Sequence, residues 1–232
     1  MAIGDKIYIA DKQTLDSVKQ DTGQLLVGLG SGTTDPYGTP GQQELKFGTL
    51  ESGYFGFVPS NDLINGNSLA QAIGLSSGTS QNSDAGWFKC SIDGRILFVA
   101  KKTLRNSISW DAIQSAGAVF GGARVMIHGK EYMVRLLTGG NYDPATTAGG
   151  EWNQIMYKLH KDFSALWGSY DDDDLLTNSS YGDGSYSWCQ ETSASNTSDR
   201  VLRGYSGVSF FLSNTASSSS AYNGWRPVLE LL

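Results

Sequence analysis

The chain closes on Gly224-Trp225-Arg226-Pro227-Val228-Leu229-Glu230-Leu231-Leu232, an apolar alternation behind a rigid corner. Val228, Glu230 and Leu232 fall on one face of a strand, and Pro227 fixes the backbone that enters it. Chain ends fray unless they are tied into a fold. A terminus of this kind must therefore find partner strands from earlier in the chain. The preceding stretch, Ser213-Asn214-Thr215-Ala216-Ser217-Ser218-Ser219-Ser220-Ala221-Tyr222-Asn223, is expected to bury almost nothing. It reads as a loop of adaptable residues on a fixed frame, an arrangement suited to binding.

Composition narrows the classes of partner. The 17 Lys and Arg are outnumbered by 23 Asp and Glu, for a net charge of -6, and no basic cluster occurs. Nucleic acid and anionic membranes are disfavoured, because phosphate neutralisation needs clustered Lys and Arg. No apolar run is long enough to span a bilayer, and Met1-Ala2-Ile3-Gly4-Asp5-Lys6 lacks the apolar core of a signal peptide. Synthesis in the cytoplasm without membrane insertion is the expectation. Cys90 and Cys189 have no CxxC spacing and no neighbouring His, and read as buried thiols. A disulfide between them stays open. The 6 Trp and 11 Tyr exceed what a modest core needs, so some are expected on a surface or in an interface.

The chain divides by pattern. Residues 1–30 read as an attachment or oligomerisation arm, with a strand at 6–10 and two heptads through Leu15, Val18, Thr22, Leu25 and Leu29. Residues 31–47 read as a Gly/Pro linker, and 48–232 as a globular domain with its core from about 108. Within it, a strand is expected at 54–59 and a helix at 68–74 with Ser68 as N-cap. Asp93-Gly94 between 87–92 and 95–100 predicts a type I′ hairpin, and Gly129-Lys130 between 125–128 and 131–137 a second. Ser109 caps a helix ended by Gly117. Trp152, Ile155, Met156, Leu159, Phe163 and Leu166 mark an amphipathic helix, with His160 on its polar face. Strands at 187–191, 200–204, 209–212 and the terminus complete an α+β fold.

The stretch from Trp110 onward resembles the C-type-lectin-like fold of bacteriophage virion and tail proteins, and the related retroelement-diversified display proteins and formylglycine-generating-enzyme-type domains. The resemblance rests on Ser109-Trp110-Asp111, Gly129-Lys130-Glu131-Tyr132-Met133-Val134-Arg135-Leu136, Gly150-Glu151-Trp152-Asn153, Ser187-Trp188-Cys189-Gln190-Glu191, Arg203-Gly204 and the closing Gly224-Trp225-Arg226-Pro227. It implies a terminal strand paired back into the domain, exposed loops before it, and a virion location among other virion proteins. It also implies a scaffold of Trp110, Arg135, Trp152, Trp188, Trp225 and Arg226, with each Arg holding a loop carbonyl or carboxylate. The Glu-Pro-Asn and Trp-Asn-Asp of calcium-dependent sugar sites are missing, as is the reactive Cys pair of the formylglycine-generating enzymes.

No motif for catalysis stands out. The only histidines are His128, beside a hairpin turn, and His160, and neither Gly-x-Ser-x-Gly nor His-Glu-x-x-His occurs. Asp171-Asp172-Asp173-Asp174 offers hard oxygen ligands that could take calcium, with Asp183 and Glu191 as further ligands, but its spacing is not that of an EF-hand. A solvated acidic loop is the plainer reading. The tract from Tyr205 to Asn223 has the Tyr, Ser, Gly and Asn composition of adaptable binding loops. Tyr205, Phe210, Phe211, Asn214, Tyr222 and Asn223 are its candidate contacts. The expected function is that of a non-enzymatic virion protein, a homo-oligomer by its heptads, attaching to a host surface glycan or protein. Alternatives are a decoration protein of capsid or tail and a calcium-dependent lectin.

Overall fold

The computed structural model describes residues 32–140, 150–162, 167–176 and 182–232. The strand expected at 6–10, the heptads at 15–29, and Phe163 and Leu166 lie outside them. The fold is mixed α+β, mostly antiparallel sheet with few and short helices. In chain order come β1 (Phe47–Gly48), β2 (Ser52–Val58), α1 (Gly66–Ala72), β3 (Thr79–Ser80), β4 (Trp87–Ile92), β5 (Arg95–Ala100) and β6 (Arg105–Asn106). Then come α2 (Trp110–Ser115), β7 (Phe120–Ile127), β8 (Lys130–Arg135), a π-helical turn (Asn153–Tyr157) and α3 (Asp172–Leu175). The last strands are β9 (Tyr186–Thr192), β10 (Asp199–Gly204), β11 (Phe211–Thr215), β12 (Asn223–Gly224) and β13 (Val228–Leu231). No helix among the described residues is long and apolar enough to cross a membrane.

Local chemistry explains the turns and caps. Asp93 and Gly94 both adopt positive φ, as a type I′ turn demands. In the second hairpin the turn residues are His128 and Gly129, at φ 49° and 77°, one position earlier than expected. Lys130 already belongs to β8, and His128 is exposed. Ser109 caps α2 by accepting from Ala112 N at 3.2 Å. The N-cap of α1 is Asn65 rather than Ser68, whose N–H donates to Asn65 Oδ1 at 2.9 Å. Both residues are good caps, and the earlier one is selected because α1 starts two residues sooner.

The main sheet has seven strands in the order β1-β2-β4-β5-β13-β8-β7. The terminal strand β13 lies inside it, with Val228, Leu229 and Glu230 paired antiparallel to β5 on one side and β8 on the other. A second sheet, β11-β10-β9-β12, is antiparallel except where β12 runs parallel to β9. Both faces of the main sheet are buried. One face (Phe55, Trp87, Phe98, Val134, Leu229) packs on α1, α2, Trp188 and Trp225. The other (Phe88, Cys90, Leu97, Val99, Val228) packs on Trp152, Ile155, Leu175 and Val201. Strands buried on both faces read as continuous apolar runs, as β4 and β5 do.

The segment expected as a linker is packed over its described part. Thr34 bridges to Glu44, and Leu45 is buried in the core. Asp35 meets Lys89 of β4 at 2.8 Å, with both side chains fully buried, and also accepts from Tyr37 N and Thr39 N. This charge pair, the Thr34–Glu44 bridge and Leu45 together fasten a Gly/Pro-rich stretch that composition reads as free. Burial pushes the Asp35 carboxyl up, but Lys89 and the hydrogen bonds outweigh it, so its pKa falls below 3.8. Its contribution to stability is complete above that unfolded value and is lost as pH falls through the lower folded one. Lys89→Met strands a buried carboxylate and is expected to cost about 3–5 kcal/mol in urea unfolding. The double variant Asp35→Leu/Lys89→Met should recover much of that; equal loss in both would contradict this account.

Candidate functional site

Indole and guanidinium donors hold the second sheet and the loops beside it, and Arg226 links it to the first sheet. Trp110 Nε1 donates to Cys189 O at 3.0 Å, Trp188 Nε1 to Ile108 O at 2.8 Å, and Trp152 Nε1 to Val208 O at 2.8 Å. Arg226, fully buried, donates to Ser187 Oγ and to the carbonyls of Ala100, Lys101 and Leu175. Burial pushes its pKa down from 12.5 to about 9. Arg135 holds two carboxylates, Glu151 at 2.6 Å and Glu230 at 2.7 Å. Trp110, Arg135, Trp152, Trp188, Trp225 and Arg226 are all buried. Trp225 differs in that its Nε1 has no partner among the described residues.

Sequence reasoning did not single out Arg203 as scaffold, yet it is equally buried. It donates to Gly139 O at 2.8 Å, Asn153 Oδ1 at 2.9 Å and Phe210 O at 3.2 Å. The chain thereby fixes the start of the candidate loop from beneath.

Above this frame, four aromatic rings converge. Tyr186 and Tyr205 stack with centroids 4.4 Å apart and planes at 2°. Phe210 leans on both, at 6.2 and 5.7 Å, and Tyr222 meets Tyr205 edge-on at 5.8 Å. Tyr186 is the buried base, while Phe210 and Tyr222 remain 38% and 43% exposed. Main-chain bonds hold the cluster: Tyr186 N to Tyr222 O at 2.9 Å and Tyr205 N to Ser185 O at 3.0 Å. Burial first, then neighbouring Tyr205, raises the Tyr186 phenol to about 12, so it stays protonated at neutral pH. Tyr205 itself sits at φ 90°, a conformation costly for an aromatic side chain.

Tyr205, Phe210 and Tyr222 are therefore brought together, and Tyr186 is the member that the sequence did not mark. Its only sequence signal is the alternation of Tyr186 with Trp188 on one face of β9. The other three candidates lie elsewhere. Phe211 points to the opposite face, against Arg203 at 5.8 Å and the second core cluster. Asn214 is spent on Ser218 Oγ and Thr215 N. Asn223 is buried and donates to Ser218 O, so it closes the loop instead of presenting a ligand contact. The serine-rich tract is likewise anchored: Asp111 N donates to Ala216 O at 3.1 Å, and Ala216 packs on the core.

The four aspartates build a helix start. Asp171 and Asp174 form a reciprocal capping box at the N-terminus of α3. Asp172 Oδ1 accepts from Val208 N at 2.9 Å, and Asp174 meets Lys101 at 3.4 Å. Glu191 is engaged elsewhere, accepting from Gly139 N at 2.9 Å, and Asp183 is exposed. Among the described residues no three His, Cys, Asp or Glu side chains are grouped to hold a metal ion. His160 corrects the amphipathic reading: it is buried, with Nε2 3.4 Å from Asp172 Oδ1. It follows the π-helical turn, and His160 bridges to Tyr170. Cys90 and Cys189 are both free and buried, and burial pushes both thiols up.

The chain matches no family model, no curated protein and no solved structure. Within the frame, Arg226 is the donor with the most carbonyl partners to lose. Arg226→Lys keeps a charge but loses the planar fork, leaving buried carbonyls unpaired. We expect a loss of about 2–4 kcal/mol in urea unfolding; a loss below ~1 kcal/mol would show that the fan of hydrogen bonds is replaceable.

Proposed function

We propose that the protein is a non-enzymatic virion structural protein that displays a C-type-lectin-like domain for host-surface attachment. Tyr205, Phe210 and Tyr222 form its contact ledge. The observation that carries the reading is the pair of half-exposed rings, Phe210 and Tyr222, on a stacked Tyr186–Tyr205 base. Rigid aromatics give contact area at little entropic cost, and the surrounding Ser and Asn residues offer hydrogen bonds. The strained backbone at Tyr205 is of the kind that persists where a surface must be held in one shape. A host surface glycan or an apolar protein patch would suit these rings. The virion setting rests on the sequence resemblance.

A second reading, a decoration protein of capsid or tail, is favoured by Met126, which is 63% exposed on β7, an edge strand of the main sheet. Neighbouring copies would cover it. Copy number and position in a particle reconstruction separate the two: many copies over the head for decoration, a few at the tail tip for attachment.

Phe210→Ala and Tyr222→Ala should each leave the melting temperature within a few degrees, since their rings are half solvated. Each should reduce adsorption of particles carrying the variant to host cells. Unchanged adsorption in both would remove the attachment reading. Asn223→Ala is the wrong probe, because losing its buried bonds is expected to cost about 1–2 kcal/mol of stability.

A further inference from the structure

A cleft of about 500 Å³ opens on the main sheet where β5, β13 and β8 meet the residues flanking Glu151. It shares no residue with the aromatic ledge. Its floor is a closed charge network. Arg135 spans Glu151 and Glu230, and Arg95 covers them from the solvent side, 3.2 Å from Glu230 Oε2 and 3.8 Å from Glu151 Oε1. Two cations meet two carboxylates, so the floor has no net charge to attract an ion of either sign. What it retains is hydrogen-bonding capacity. Each carboxylate has about four acceptor sites; Glu230 Oε2 accepts from Arg135 at 2.7 Å and Arg95 at 3.2 Å, and Oε1 accepts only from Arg95 at 3.3 Å, which leaves one site on Oε1. The Arg95 side chain is 41% exposed and has five N–H donors, about half of them committed.

The walls add two further kinds of contact. Gln190 commits its Nε2 to Leu136 O at 2.8 Å, leaving its amide oxygen as an acceptor, and Gln154 also lines the cleft. Phe120, 59% exposed and set edge-on against Trp110 at 5.9 Å, and Met133 also line the cleft. The cavity falls within the size class of small-molecule sites, about 300–1,000 Å³. A neutral ligand with many hydroxyls and one apolar face meets all three features: paired acceptors, fixed donors and an exposed ring. Anionic ligands would face Asp93 at the rim, and cationic ones would find the carboxylates already paired.

We infer that this cleft binds a neutral pyranose unit, its hydroxyls on the Arg95–Glu230 floor and its C–H face on Phe120. The site stands apart from the proposed attachment ledge, and each can fail without the other. The test uses the full chain and the methyl glycosides of glucose, galactose, mannose and N-acetylglucosamine, titrated by calorimetry and by NMR of the methionine methyl groups. At least one glycoside should bind saturably and shift Met133 while leaving Met126, on the same hairpin, unmoved. Phe120→Ala and Gln154→Ala should each weaken that binding about tenfold or more, the scale of one lost aromatic or polar contact. Met126→Ala, outside the cleft, should not change it. Absence of binding by all four glycosides, an unshifted Met133, or full affinity in both cleft variants would overturn the proposal. Loss of binding in Tyr222→Ala alone would place the sugar on the ledge instead. The methyl shifts need no substitution, so the outcome is decided even where a variant fails to fold.

Discussion

Val228, Leu229 and Glu230 hydrogen-bond to strands on both sides, and most of the fold depends on that insertion. Without β13 the main sheet would split between β5 and β8, exposing two long edges. The strand also delivers two functional anchors. Arg226, just before it, ties Ser187 of the second sheet to Ala100 of the first and to Lys101 beside it. Glu230, within it, joins Arg135 and Arg95 on the floor of the cleft. One segment of the chain therefore positions both the ledge and the cleft.

The second sheet is held by side chains as well as by its own pairing. Its edge strand β12 adds only two residues. Three indole N–H groups and two buried guanidiniums spend their donors on its backbone or on the loops beside it. Buried donors of this kind are costly to leave unpaired, so each one fixes the place of the carbonyl it meets. The aromatic ledge inherits that order: Tyr186 lies on β9, and Arg203 holds Phe210 O.

Much of this was legible from residues close together in sequence. The hairpin at Asp93-Gly94, the cap at Ser109 and the strand character of 228–231 follow from turn and cap chemistry that acts over a few residues. The readings that changed all depend on distant partners. His160 reads as polar, yet it is buried beside Asp172 and bridged to Tyr170. Residues 31–47 read as a linker because no local pattern shows that Asp35 will find Lys89, which is 54 positions away and on a strand that otherwise reads as apolar core. Asn223 reads as a binding residue by composition, yet its amide is used within its own loop.

The candidate contacts divide in the same way. Composition marked the tract from Tyr205 to Asn223 as rich in rings and amides, and three of its residues do converge. Sequence alone determined the α+β class, the acidic surface, the local hairpins and the need for the terminal strand to be paired, because each is set by composition or by neighbours along the chain. Tertiary structure alone decided which rings share a face, that Tyr186 joins them, that two of the four aspartates form a capping box, and that Arg135 is shared by two glutamates 79 residues apart. Those outcomes depend on burial and on hydrogen bonds between segments far apart in the chain, for which no residue carries a local mark.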